Sequence, residues 1–145
     1  MKLKLKRVRT NAILPKHQTK GAAGFDLHAA IDEKYILKSG ERCSISTGIA
    51  IELPENYVLL IFARSGLAYK HGITLTNCVG VIDSDYRDEM SVLLINNGKE
   101  DFVIEPEMRI AQGVIIKHEI AEWEEVDELN ETARGKGGFG STGTK

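Results

Sequence analysis

Residues 44–53 have the sequence SISTGIAIEL, and this stretch decides the fold class. Every odd position from 45 to 53 holds a β-branched or aliphatic residue, with a small or polar residue or Glu52 between them. A period of two is typical of a β-strand that buries one face. The stretch therefore predicts one continuous strand whose odd positions face the core.

Similar β-rich runs recur at short intervals along the chain. Turn residues separate them at Ser39-Gly40, at residues 54–56, at Asn97-Gly98 and at Pro106, and Asn-Gly favours a tight hairpin. Short strands at such spacing predict an all-β sandwich or barrel. The predicted runs are residues 57–62, 73–76, 91–95, 102–104 and 114–116.

One short helix is predicted after the strand at 57–62. Ser65 is suited to cap it, the helix would run through Lys70, and Gly72 would end it in a left-handed conformation. A second segment is ambiguous, because its three-residue apolar spacing fits a helical stripe or a strand followed by a turn. We interpret it as a strand. Its apolar residues are Ile120, Trp123, Val126 and Leu129.

Length and charge limit the possible functions. The chain has 145 residues, the size of one domain, and a net charge of −2 that gives no reason to expect a nucleic-acid partner. Cys43 and Cys78 lack metal-ligand spacing, which favours a reduced intracellular protein. The longest apolar run, residues 57–63, is too short to span a bilayer. We therefore expect a cytoplasmic protein without a membrane partner.

The glycine-rich tail, residues 134–143 (RGKGGFGSTG), matches a dinucleotide-binding glycine pattern. That interpretation fails, because no helix follows it. The tail is either a plain flexible end or a mobile lid over a phosphorylated ring compound. We favour the lid, and thus a β domain at 1–133 with a flexible arm at 134–145. The arm offers a phosphate donor, hydroxyls and a flat ring in Arg134, Ser141, Thr142 and Phe139.

Residues 77–89 (NCVGVIDSDYRDE) combine a turn with an acidic cluster. Gly80 stands between two β-branched runs as the expected tip of a hairpin, whose backbone groups could recognise the edge of a base. The acidic residues lack the offsets of a calcium loop. They form either a solvated turn or a site with one general base. Asp83 follows two apolar residues and is expected to be the least solvated of them.

Three shorter stretches carry weaker signals. Arg64 and Ser65 stand where a strand becomes a helix, which suits either an anion site or a structural salt bridge of Arg64. Asp26 lies among small and apolar residues, where a carboxylate needs a partner or a cation. Arg109 and Gln112 interrupt an apolar strand, and each such residue is more often structural than functional.

Taken in order, these five stretches resemble the five motifs of the trimeric dUTPase family, from residue 23 to residue 143. The motifs are AGFDLHAA, RSGLAYKHGI, GVIDSDYRDE, RIAQ and RGKGGFGSTG. The resemblance implies a jelly-roll-like β subunit, a homotrimer with shared active sites, and Mg²⁺ as cofactor. It also implies hydrolysis of dUTP to dUMP and pyrophosphate, which limits uracil in DNA and supplies dUMP for thymidylate synthesis.

The resemblance also implies roles for the matched residues. Asp83 would activate the water that attacks the α-phosphorus, and Asp26 would help to hold the metal, often through water. Tyr86 would pack under the deoxyribose and exclude a ribose hydroxyl, and Phe139 would stack over uracil. The remaining matches are Asn77, Gly80, Val81 and Ile82 for uracil, Arg64, Ser65, Gly66 and Gln112 for phosphates, and Arg134, Gly140, Ser141 and Thr142 in the arm.

Two alternatives stay open at this point. A dCTP deaminase shares the fold class but would be expected to carry Arg-Ser-Ser, whereas this chain has Arg-Ser-Gly at residues 64–66. A non-catalytic nucleotide-binding regulator is the other alternative. The chain also departs from the family at Asp88, which replaces a usual glycine and adds a negative charge near the expected site, and at Ala63, where proline or glycine is common.

Overall fold

The computed structural model of the protein describes residues 1–141 and contains mostly β-strand with one short helix, as predicted. The strands are β1 (Lys4–Arg7), β2 (Phe25–His28), β3 (Tyr35–Leu37), β4 (Arg42–Ser46), β5 (Ile49–Glu52), β6 (Tyr57–Ala63), β7 (Ile73–Leu75), β8 (Gly80–Ile82), β9 (Ser91–Asn96), β10 (Phe102–Ile104) and β11 (Arg109–Lys117). The helix, α1, is Ser65–His71 and lies between β6 and β7.

The strands form four antiparallel sheets. The largest has the order β2-β11-β6-β8, a second has the order β4-β9-β7, and two strand pairs are β1-β5 and β10-β3. Within residues 1–141 these sheets do not close into a barrel through hydrogen bonds. Residues from all four sheets share one apolar core. Its fully buried members include Leu27, Leu37, Ile49, Leu59, Ile61, Leu94 and Ile104.

The prediction of one continuous strand over residues 44–53 is wrong. The stretch contains β4 and β5, which belong to different sheets, and the chain turns between them at Gly48, whose φ is +71°. A Cβ on Gly48 would lie 2.6 Å from that of Ala12, so only glycine fits this turn. Ile45, Thr47 and Ile49 are buried, as the alternation predicted. Beyond the turn the alternation fails, because Ala50 is buried and Ile51 is only partly buried. The alternation therefore indicated the burial of these three residues, but neither the burial of Ala50 nor the break in the strand.

Two predicted hairpin tips are also wrong. Asn97-Gly98 does not join paired strands, because β10 pairs with β3 and not with β9. Gly98 instead packs against the backbone of His71 and donates its N–H to the Asn96 side chain at 2.9 Å. Gly80 opens β8 rather than sitting at a tip, and the turn lies before it, where Cys78 has a φ of +61°.

The short helix is confirmed, with one correction at its start. Arg64 is the N-cap, Ser65 is already helical, and no side chain caps the first turn. Gly72 ends the helix with a φ of +71°, as predicted, and donates its N–H to Ala68 O. None of the helices in the described part of the chain is long and apolar enough to cross a membrane.

The strand predicted around residues 120–129 is wrong. The segment has no regular structure, and Ile120, Trp123, Val126 and Leu129 are between 50 and 94% exposed. Their spacing therefore serves no packing against residues 1–141 of the same chain. Large apolar side chains that are exposed together along one segment are typical of a surface that another molecule covers.

Candidate active site

Three neighbouring strands bring the first group of site residues together. In the register of the largest sheet, Gln112 on β11 lies opposite Asp26 on β2 and opposite Phe62 on β6. Arg64 directly follows β6 and leads into α1. The phosphate cluster, defined as Asp26, Arg64, Arg109 and Gln112, thus combines three of the five motifs at one end of this sheet.

Asp26 organises the phosphate cluster. One carboxylate oxygen lies 3.4 Å from Arg64 Nε, and the other accepts hydrogen bonds from Arg109 Nη1 at 3.2 Å and Gln18 Nε2 at 2.8 Å. The prediction that Asp26 needs a partner is confirmed, because a buried carboxylate is costly unless it is paired. Its pairing with Gln18 and Arg109 was not predicted. Two arginines against one carboxylate leave a net positive charge for an anion.

The sequence left open whether Arg64 belongs to an anion site or forms a structural salt bridge, and its geometry is compatible with both roles. Its guanidinium pairs with Asp26 and also donates to the Arg109 carbonyl at 3.0 Å, so the side chain is held in place. Beside it, Ser65 and Gly66 begin α1, where no side chain accepts from the first-turn amides. Gln112 donates to Ala63 O at 3.0 Å and is fixed near the same point. This arrangement suits an anion such as phosphate.

His28 lies two residues from Asp26 and is half-buried. Burial lowers the pKa of its imidazole below the usual value, and the positive charges of Arg109 and Arg64 act in the same direction, while Asp26 opposes them. The ring is therefore neutral at pH 7 and adds no charge to the phosphate cluster.

The second group of site residues lies on and after β8. Within the part of the chain that the structure describes, this strand pairs only with β6 and forms an edge of the largest sheet. An edge strand has backbone N–H and C=O groups free to bind another molecule. Asn77 lies in the preceding turn, Val81 is exposed, and Ile82 packs against the core. The backbone around Gly80 can therefore offer donors and acceptors to a planar base, although not as the predicted hairpin tip.

Asp83 follows β8 directly and is exposed in the single chain. The expectation that it is the least solvated member of the acidic cluster is wrong, because the side chain of Glu89 is only 19% exposed. Tyr86 folds back over the same loop: its N–H donates to Asp83 O at 3.2 Å and its hydroxyl donates to Glu89 O at 3.0 Å. Asp83 and Tyr86 thus belong to one compact turn.

The two groups lie at opposite ends of β6. Ile82 pairs with Leu59 near the start of that strand, whereas Arg64 follows its end. Five residues of extended chain between Leu59 and Arg64 span about 17 Å. A single chain therefore does not bring Asp83 to the phosphate cluster.

The described arm residues, 134–141, do not contribute to either group in the same chain. Phe139 is wholly exposed, with a φ of +48°, and Gly140 and Ser141 are exposed beside it. Arg134 donates to Gly137 O at 3.0 Å, within the arm itself. Thr142, the remaining predicted residue, lies outside the described residues.

The two cysteines provide a test of the site's exposure. Burial raises the pKa of the Cys43 thiol to about 11, whereas Cys78 is exposed in the turn before β8. At pH 8 only about one Cys43 thiol in a thousand is ionised, and the thiolate is the reactive form. We expect a thiol reagent to label Cys78 rapidly and Cys43 slowly in the native protein, and both rapidly after unfolding. Loss of the fast phase in Cys78→Ser is the control, and equal native rates would contradict this assignment.

These features define an all-β protein with a cluster of two arginines around one buried carboxylate and an exposed carboxylate after an edge strand. The family model described as dUTPase matches residues 10–143, and the chain belongs to this family. The resemblance found in the five motifs is thereby confirmed.

Named relatives agree with this assignment. Deoxyuridine 5′-triphosphate nucleotidohydrolase from Nautilia profundicola is 56% identical over 143 residues, which cover 99% of each chain. The protein of the same name from Rickettsia felis is 57% identical over 130 residues, covering 90% of this chain and 88% of the relative. Among solved structures, Staphylococcus bacteriophage 80alpha dUTPase with dUPNHPP has a TM-score of 0.90 at 28% identity, with 98% of each chain covered.

Proposed function

We propose that the protein hydrolyses dUTP to dUMP and pyrophosphate, thereby limiting uracil in DNA and supplying dUMP for thymidylate synthesis. The observation that carries the proposal is the phosphate cluster, in which strand pairing brings Asp26, Arg64 and Gln112 from three motifs to the start of α1. Membership of the dUTPase family and the names of the relatives support it.

We infer that the active site is completed by other copies of the chain in a homotrimer. Asp83 and the phosphate cluster are separated by about 17 Å along β6. This separation supports the inference, because the base must lie next to the water that attacks the phosphate. The exposed apolar residues at 120–129 also support it, since their own chain leaves them uncovered. In such a trimer, each carboxylate at position 83 serves the phosphate cluster of a neighbour.

In the chemical step, Asp83 accepts a proton from a water molecule as the water oxygen bonds to the α-phosphorus. The bond from that phosphorus to the bridging oxygen breaks on the opposite side, and pyrophosphate leaves. Arg64 and the first-turn amides at Ser65 and Gly66 balance the negative charge of the phosphates. A general base in this position contributes about 10²–10⁴-fold to the rate.

Mg²⁺ would need oxygen ligands besides Asp26, because the side-chain atoms paired with that carboxylate are nitrogen donors of Gln18, Arg64 and Arg109. Within residues 1–141 no three His, Cys, Asp or Glu side chains gather into a metal site, and both Asp26 oxygens already face protein donors. Mg²⁺ commonly keeps several waters and binds through one or two carboxylates together with substrate phosphates. Asp26 would therefore hold the ion through water, and the ion would neutralise charge on the triphosphate.

The arm at residues 134–145 is proposed as a lid that closes over the bound nucleotide. Its wholly exposed Phe139 ring has an apolar face free to stack on a base, and Arg134 offers a guanidinium to the outer phosphates. Gly140, with a φ of +87°, gives the backbone beside Phe139 a conformation that other residues rarely adopt. The cytoplasmic location expected from the two free cysteines stays a prediction.

Nucleotide specificity tests the proposed function. The purified protein is incubated with Mg²⁺ and dUTP, dCTP, dTTP or UTP, and both pyrophosphate and ammonia are measured. Pyrophosphate from dUTP alone is expected. Ammonia from dCTP would instead establish the deaminase alternative, and binding of dUTP without any release of product would establish a non-catalytic regulator.

Tyr86→Ala is expected to weaken the exclusion of UTP. The proposed packing of the ring under the sugar leaves no space for a 2′-hydroxyl, so its removal should raise kcat/KM for UTP relative to dUTP by about 10-fold or more. Tyr35→Ala is a matched control, because Tyr35 is 40% exposed and Tyr86 is 41% exposed. An unchanged ratio of the two kcat/KM values in Tyr86→Ala would refute the role of Tyr86 in excluding the ribose 2′-hydroxyl.

A further inference from the structure

Glu89 is the last residue of the loop that carries Asp83 and Tyr86. Its side chain anchors the end of this loop to the rest of the chain, and none of the substrate contacts proposed above involves it. One carboxylate oxygen accepts from Arg9 Nε at 2.6 Å and from the Gly48 N–H at 2.9 Å. The other accepts from Arg9 Nη2 at 3.1 Å. This bidentate ion pair fixes the orientation of the planar carboxylate far better than a single contact does.

The partners of Glu89 are themselves held firmly. Gly48 accepts a hydrogen bond from the Val8 N–H at 2.8 Å, and the space beside its Cα is filled by Ala12 and Ala30. Next along the chain, the Met90 N–H donates to Ile49 O at 2.9 Å. The end of the loop is therefore tied to the turn between β4 and β5 by both side-chain and backbone bonds.

Tyr86 depends on the same anchor. Its hydroxyl donates to the backbone oxygen of Glu89 at 3.0 Å, and this is the bond that joins the aromatic ring to the fixed end of the loop. Side chain and backbone of Glu89 thus link Arg9 to the ring through consecutive contacts: guanidinium to carboxylate, and carbonyl to phenol.

We propose that Arg9 and Glu89 are positioning residues that hold the Tyr86 ring where it discriminates deoxyribose from ribose. The inference rests on the proposed function, since it assigns the discrimination to hydrolysis of dUTP. Neither residue touches the substrate in this account. Discrimination of one hydroxyl requires a ring held to within a fraction of an ångström, and a displacement of that size changes rates substantially.

A purely stabilising role would give a different result. The Arg9 side chain is 46% exposed and that of Glu89 19%, and an ion pair with one side chain this exposed adds little to global stability. A second ion pair, Lys4 and Glu52 at 2.9 Å on the β1-β5 sheet, is more exposed and is the control for loss of a surface pair. Loss of that pair leaves the anchor of Tyr86 intact.

The test compares Arg9→Ala, Glu89→Gln and Lys4→Ala with the unmodified protein. Two quantities are measured: the ratio of kcat/KM for dUTP to that for UTP, and amide hydrogen exchange over residues 83–89. We expect Arg9→Ala to lower the ratio about 5–10-fold and to speed exchange in this loop, with Glu89→Gln intermediate. Lys4→Ala should change neither quantity. Thermal midpoints show whether each variant is folded.

A double variant separates positioning from general loosening. If Arg9 acts through the ring, Arg9→Ala adds no further loss of selectivity when Tyr86 is already Ala. Additive losses of selectivity in the double variant would overturn the inference. So would an unchanged ratio together with unchanged exchange in Arg9→Ala. In both cases dUTP hydrolysis by the unmodified protein would still stand. Absence of that hydrolysis would overturn the proposed function instead, and the exchange measurement would still decide whether Arg9 holds the loop.

Discussion

Asp83→Asn lowers pyrophosphate release from dUTP by about 10²–10⁴-fold and leaves binding of a nonhydrolysable dUTP analogue largely intact. An amide has nearly the shape of the carboxylate but does not take the proton from the attacking water. Asp83 is exposed, and its backbone oxygen, not its side chain, makes the bond to Tyr86, so the substitution leaves the turn in place. The fold is therefore expected to be unaffected.

Single-turnover release of pyrophosphate measures this effect, and titration calorimetry with the analogue measures binding. Asp85→Asn is the control, since Asp85 is an exposed carboxylate two residues along the same loop. Turnover by Asp83→Asn at the rate of the unmodified protein would refute the assignment of the base. Loss of binding together with turnover would show that the carboxylate holds substrate rather than water.

Removal of residues 135–145 is expected to leave a folded trimer whose kcat/KM for dUTP falls by about 100-fold or more. The described residues of this segment belong to no strand or helix and contribute nothing to the buried core. Their loss therefore has a small effect on the free energy of unfolding. It removes the ring proposed to cover uracil and the hydroxyl of Ser141.

Circular dichroism and gel filtration report fold and assembly of the truncated chain, and pyrophosphate release reports activity. Phe139→Ala serves as a narrower variant, because it removes only the aromatic ring and should have a smaller effect. Full activity of the truncated chain would contradict the lid. A truncated chain that runs as a monomer would show instead that the end of the arm holds the assembly together.

The strands that were predicted well are those whose signals are local. The runs at 57–62, 91–95 and 102–104 lie within a residue of β6, β9 and β10, because alternation and flanking turn residues act within a few positions. β1 was missed because it has only four residues, of which three are basic and one, Leu5, is apolar. β11 was predicted as two separate pieces, one around Arg109 and Gln112 and one at residues 114–116, rather than as one strand of nine residues, since the polar side chains interrupt its apolar pattern.

The turns that were predicted wrongly depend on tertiary contacts. The break at Gly48 depends on Ala12 and Ala30, which are distant in sequence and leave no space for a Cβ. Gly98 is required by the backbone of His71 rather than by a hairpin. A glycine in the sequence therefore indicated a special position in both cases, but the kind of position depended on residues brought close by folding.

The site was predictable in its parts and not in its assembly. The need of Asp26 for a partner follows from its apolar neighbours, whereas its pairing with Arg109, 83 residues away, follows from strand register. The separation of Asp83 from Arg64 has the same origin, because only the antiparallel pairing of β8 with β6 shows that they lie at opposite ends. The exposure of the Asp83 side chain in a single chain follows from the same arrangement of strands.

Mixing two inactive variants tests the shared site most directly. Asp83→Asn and Arg64→Ala chains are unfolded together, refolded at a one-to-one ratio and assayed for pyrophosphate release from dUTP. If each site takes position 83 from one chain and position 64 from another, about a quarter of the sites in randomly mixed trimers are complete, and about a quarter of the full activity returns. If both residues served within one chain, no site would be complete, and a mixture as inactive as its components would contradict the shared site.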